Sequence, residues 1–119
     1  MSPEKAKVFI VEDGQQWQNV IGEILTRGGH EVVLRARTKE EALAGIKKLE
    51  ELDVNVVTLD GNLNEWDTSG ADGQIIMSTI RTQTPDVKII GLAGGNVRGA
   101  DIDLGKSNAV DLCETVTKL

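Results

Sequence analysis

The chain has 119 residues, a formal net charge of −6 and 39% hydrophobic residues, enough for one core and the size of a single domain spanning 1–119. The acidic balance argues against direct nucleic-acid binding and against docking on acidic membranes, and no apolar run approaches membrane length. One cysteine, Cys113, and one histidine, His30, leave almost no material for a disulfide, a catalytic triad or a zinc site.

The N-terminus enters a strand pattern without a signal-peptide core, so a soluble cytoplasmic protein is expected. Lys7 to Val11 reads as the first strand, followed by two carboxylates, Glu12 and Asp13. Gln15 to Arg27 carries apolar residues at Trp17, Val20, Ile21, Ile24 and Leu25, a helical spacing that Gly28-Gly29 terminates. His30 to Ala36 is a second strand, with His30 expected at the surface. Thr38 to Glu41 is a capping box opening a second helix, whose buried stripe is Ala42, Leu43, Ile46 and Leu49.

Val54 to Asp60 is the densest apolar run, rich in β-branched residues. It suits a strand covered on both faces, as at the centre of a parallel sheet. Asp60 marks where that strand emerges, because a carboxylate is costly inside an apolar layer. Alone, an Asp-Gly pair after a strand would more often start a turn or cap the next helix. Gly61 to Asp72 is a long polar connection containing Asn62 and Trp66, and loops of that length tend to carry function. Gly73 to Thr82 is a third helix with Ile75, Ile76, Thr79 and Ile80 facing inward. Val87 to Leu92 and Ile102 to Leu104 are two more strands, and a last helix runs from Ser107 or Asn108 to about Lys118 with Ala109, Leu112, Cys113 and Val116 inside.

Strands alternating with helices specify an α/β, doubly wound, flavodoxin-like fold with five parallel strands in the order 2-1-3-4-5. That order sets Glu12 and Asp13 beside Asp60 at the carboxyl edge, where such sheets bind ligands. Three carboxylates in one crevice repel each other unless a cation compensates, and a hard, oxygen-seeking Mg²⁺ suits them. Asn62 can add its backbone carbonyl. Lys106 follows the last strand at the same edge, where its ammonium can neutralise a phosphoryl group on Asp60. Carboxylate nucleophile, Mg²⁺ and lysine together are what phosphoryl transfer to an aspartate requires.

With Val8-Phe9-Ile10-Val11-Glu12-Asp13, Val56-Val57-Thr58-Leu59-Asp60-Gly61-Asn62, Asp72-Gly73, and Gly99-Ala100-Asp101 followed by Lys106, the chain resembles the receiver domain of two-component response regulators. The resemblance implies that Asp60 is the phosphoacceptor and that Glu12, Asp13 and Asp60 hold Mg²⁺ with the carbonyl of Asn62. It also implies that Lys106 contacts the phosphoryl group. The donor would be a histidine kinase or phosphotransfer protein and the output a downstream protein partner. Catalysis would be limited to the domain's own phosphorylation and dephosphorylation. An enzyme of the small-phosphatase kind is disfavoured, because Asn62 stands where a second Asp would act.

The chain also departs from the family pattern. Ala93 replaces the hydroxyl residue at the end of strand four, Asp103 the usual aromatic of strand five, and Ser107 the proline after the lysine. A hydrogen bond to a charged group contributes about 1.5–3 kcal/mol and allosteric coupling is typically about 1–3 kcal/mol, so losing that hydroxyl can remove most of the switch. Only eight residues, Ala93 to Ala100, join strands four and five. A helical crossover needs at least about ten to twelve, so the fourth helix is expected to be missing or reduced. The shortened face offers a surface for a second copy of the chain. The alternative function is a phosphorylation-independent pseudo-receiver that binds proteins.

Overall fold

The computed structural model describes residues 5–60, 71–92 and 99–117. Five strands, β1 (Lys7–Val11), β2 (Glu31–Ala36), β3 (Val56–Leu59), β4 (Lys88–Gly91) and β5 (Ile102–Asp103), form one parallel sheet in the order 2-1-3-4-5. The helices are α1 (Gln15–Arg27), α2 (Lys39–Ile46), α3 (Ala71–Gln83) and α4 (Leu112–Thr117), and a 3-10 helix, Lys106–Asp111, leads into α4. The described part of the β4–β5 connection, Leu92 and residues 99–101, contains no helix. Asn62, Trp66, Ala93, Gly94 and Gly95 lie outside the described residues.

Alternation along the strands sorts the core into two layers. Phe9, Val11, Val57, Leu59 and Ile89 pack under α2 and α3, against Ala42, Ile46, Ile76, Met77 and Ile80. Val8, Ile10, Val56 and Ile90 pack under α1 and α4, against Ile21, Leu25, Leu112 and Val116. The central strand β3 is buried along its whole length, as its unbroken apolar run requires. Thr38 caps α2 by accepting the N–H of Glu41 at 3.1 Å, and Glu41 reaches back to the N–H of Arg37 at 2.9 Å, one residue further than in the simple box.

In each of two helices one residue expected inside is exposed. The buried line of α1 is Gln18, Ile21, Gly22 and Leu25, and Val20 is 43% exposed. In α3, Met77 is buried and Ile75 is 45% exposed. His30 is 4% exposed and not a surface residue. Its Nδ1 accepts the N–H of Ala6 at 3.0 Å and its backbone N–H donates to the Leu25 carbonyl at 2.9 Å, which ties the residue to α1 and to the segment entering β1. Burial lowers its pKa from the ordinary 6.5.

Near β5, polar contacts tie the start of the strand to β4 and α3. Asp101 donates its N–H to the Ile89 carbonyl at 2.9 Å, and its Oδ2 accepts the Ile89 N–H at 2.7 Å. Arg81 on α3 pairs with the same carboxylate at 3.1 Å and donates to the Gly99 carbonyl at 3.0 Å. Gly99 has φ +89°, and a side chain there would run into the Met77 sulfur.

Candidate metal and phosphoryl site

The sheet's hydrogen bonding continues one residue past the central strands and places the acids. The Glu12 N–H donates to the Ala36 carbonyl at 3.0 Å, and the Asp60 N–H donates to the Val11 carbonyl at 2.9 Å. Both residues are therefore held by backbone at the carboxyl edge of adjacent strands. Glu12 is 1% exposed and Asp60 3%, and Asp13 is half-buried. Carboxylate oxygens of Glu12, Asp13 and Asp60 all lie within 4.8 Å of one another.

At that separation two unit negative charges repel by about 3 kcal/mol for an effective dielectric constant near 20. The arrangement is costly by itself and complementary to a cation. The fit follows from radius. Oxygens around Mg²⁺ lie about 2.1 Å away and around Ca²⁺ about 2.3–2.6 Å, so opposite ligands stand about 4.2 to 5 Å apart. Three oxygens all within 4.8 Å of one another lie inside that upper limit, so one hard dication can bind all three. Glu12 also has a structural role, since its Oε2 accepts the N–H of Gly14, the N-cap of α1, at 2.9 Å.

Lys106 opens the 3-10 helix after β5, where Gly105, at φ +79°, turns the chain out of the sheet. The N–H groups of Leu104 and Gly105 both donate to the Gly91 carbonyl, at 2.9 and 3.0 Å, which sets that turn at the carboxyl end of β4. The side chain of Lys106 and the whole of Asn62 lie outside the described residues. Asp72 sits in the first turn of α3 and pairs with Lys39 at 3.9 Å. Asp103 on β5 is exposed.

Three residues near the acids were not singled out from sequence. Gln18 of α1 donates to the carbonyls of Glu12 and Ala36. Arg35 donates to Gln18. Arg37 donates through Nε to the Asp13 carbonyl at 3.0 Å. The one available signal was Gln18, a polar residue at helical spacing from Ile21 and Leu25.

No family model matches the chain. Among curated proteins, the chemotaxis protein CheY of Listeria monocytogenes is 30% identical over 105 residues, covering 88% of this chain and 82% of the relative. Among solved structures, a response regulator from Burkholderia pseudomallei with a phosphorylated aspartic acid, a calcium ion and citrate superposes with a TM-score of 0.73 at 20% identity over 94% of this chain. The CheX–CheY–BeF3–Mg²⁺ complex from Borrelia burgdorferi matches with a TM-score of 0.64 at 23% identity over 79% of this chain. The chain spans 66% and 64% of those two structures' chains. With this strand order, and with this relative matched over most of both lengths, the chain belongs to the CheY-like receiver domains of response regulators.

Proposed function

We propose that the protein accepts a phosphoryl group on Asp60 from the phosphohistidine of a histidine kinase or phosphotransfer protein. Glu12, Asp13 and Asp60 would hold Mg²⁺ together with the carbonyl of Asn62, and Lys106 would face the phosphoryl oxygens. The observation that carries this reading is the cluster of three strand-end carboxylates within 4.8 Å. The phosphorylated aspartate of the Burkholderia protein and the Mg²⁺ and BeF3 of the Borrelia complex, each a property of those proteins, support it.

An Asp60 carboxylate oxygen attacks phosphorus in line with the donor's imidazole nitrogen. The O–P bond forms as the N–P bond breaks, and the bonding pair leaves with the imidazole, which takes a proton. Mg²⁺, when bound, supplies charge neutralisation between the incoming phosphoryl oxygens and the carboxylates. The backbone hydrogen bond to Val11 keeps Asp60 in place during transfer, so little reorganisation accompanies it. Burial of Asp60 limits water access and so lengthens the life of the acyl phosphate.

Incubation with acetyl phosphate and Mg²⁺, followed by intact mass spectrometry, tests the reading. One added phosphoryl group is expected, absent in Asp60→Asn and absent with a chelator. A protein of unchanged mass would count against it. The second reading, a phosphorylation-independent binding module, draws on the exposed Asp103 in place of an inward aromatic residue. It is favoured if Asp60→Asn leaves partner binding unaltered.

A further inference from the structure

Gln18 is an amide on the inner line of α1, 1% exposed, between residues that pack an apolar core. Burying an amide there is costly unless each polar atom is used. Both are used, the nitrogen on the carboxyl ends of β1 and β2 and the oxygen on Arg35. Nε2 donates to the Glu12 carbonyl at 3.0 Å and to the Ala36 carbonyl at 2.8 Å. Oε1 accepts Nη1 of Arg35 at 3.2 Å, and the same nitrogen donates to the Gln18 backbone carbonyl at 2.9 Å. A guanidinium only donates, so the amide orientation is determined: oxygen to Arg35, NH₂ to the two carbonyls. Arg35 in turn lies across bare backbone at Gly22, where any side chain would collide with the guanidinium.

The geometry points to Gln18 as a positioning residue for the metal-binding acids, with Arg35 as its anchor. The carbonyl that Gln18 holds belongs to the peptide joining Glu12 to Asp13, and turning that peptide swings both carboxylates. Arg37 fixes the next carbonyl, that of Asp13. The cation's affinity then depends on a chain of contacts from Gly22 through Arg35 and Gln18 to Glu12. The inference rests on the Mg²⁺ site proposed above and adds the residues that tune it. Partners outside the coordination sphere commonly change metal affinity by about 10- to 100-fold when removed.

The test is a Mg²⁺ titration followed by ¹⁵N NMR at the amides of Glu12, Asp13 and Asp60. The variants are Gln18→Met, which keeps length and burial but donates nothing, and Arg35→Met. Ile21→Val is the control for lost stability on the same helix. The expected result is Mg²⁺ binding about ten-fold weaker in Gln18→Met, several-fold weaker in Arg35→Met, and unchanged in Ile21→Val. Gln18→Met binding Mg²⁺ within about two-fold of wild type would overturn the inference. If that variant fails to fold, Arg35→Met decides alone: wild-type affinity overturns the inference and a several-fold loss supports it. Wild-type protein with no Mg²⁺ response would overturn the metal site itself, and this inference with it.

Discussion

Asp101→Ala should cost about 2–3 kcal/mol of stability, although the side chain lies at the margin of a two-residue strand. The carboxylate accepts the N–H of Ile89, a residue with no exposed surface, at 2.7 Å, and Arg81 pairs with it at 3.1 Å. Removing it strands a buried backbone donor, which costs about 1–3 kcal/mol, and releases a cation from a partly exposed pair, which adds less than about 1 kcal/mol. Asp101→Asn keeps an acceptor for Ile89 and should lose only about 1 kcal/mol. Arg81→Met should lose a similar amount, because the bond to Gly99 goes with the ion pair. Urea unfolding followed by tryptophan fluorescence measures all three, and the double variant should lose less than the sum of its parts. Asp101→Ala within about 0.5 kcal/mol of wild type would refute the claim that this carboxylate completes the hydrogen bonding at the β4–β5 edge of the sheet.

Burial holds His30 below its ordinary 6.5, so the unfolded chain takes up the proton first as pH falls. Its contribution is full above about 6.5 and is lost as pH drops through that value toward the lower folded-state pKa. His30→Asn, which can still accept from Ala6, should therefore show a shallower loss of stability below about pH 6.5 in urea unfolding, and parallel curves would contradict the assignment. At Gly45, a Cβ would lie 2.8 Å from Phe9 and 3.0 Å from Leu34. Gly45→Ala should thus cost about 1–3 kcal/mol despite the better helix propensity of Ala, and a stabilised variant would show that α2 can move off the sheet.

Strand order was legible because strictly alternating strands and helices leave few topologies, and because β3 is apolar on both faces. The meeting of Glu12, Asp13 and Asp60 followed from that order alone, since strand ends on adjacent strands have nowhere else to go. Helix orientation was less legible. In α1, Ile21 and Leu25 of the expected stripe are buried and Trp17 and Ile24 pack against the core, but Val20 is exposed and the inner line also takes in Gln18 and Gly22. Apolar periodicity gives no weight to a glycine that admits a guanidinium or to a glutamine that ties down two carbonyls. His30 was misjudged for a related reason: its burial depends on a backbone N–H from residue 6, distant in sequence.

The central claim is that one hard dication sits among the three acids. Crystals grown with Mn²⁺, an oxygen-preferring octahedral stand-in for Mg²⁺, test it by anomalous diffraction. One peak at coordination distance from oxygens of Glu12, Asp13 and Asp60 is predicted. Fully occupied Mn²⁺ elsewhere on the protein, with none between these carboxylates, would contradict it.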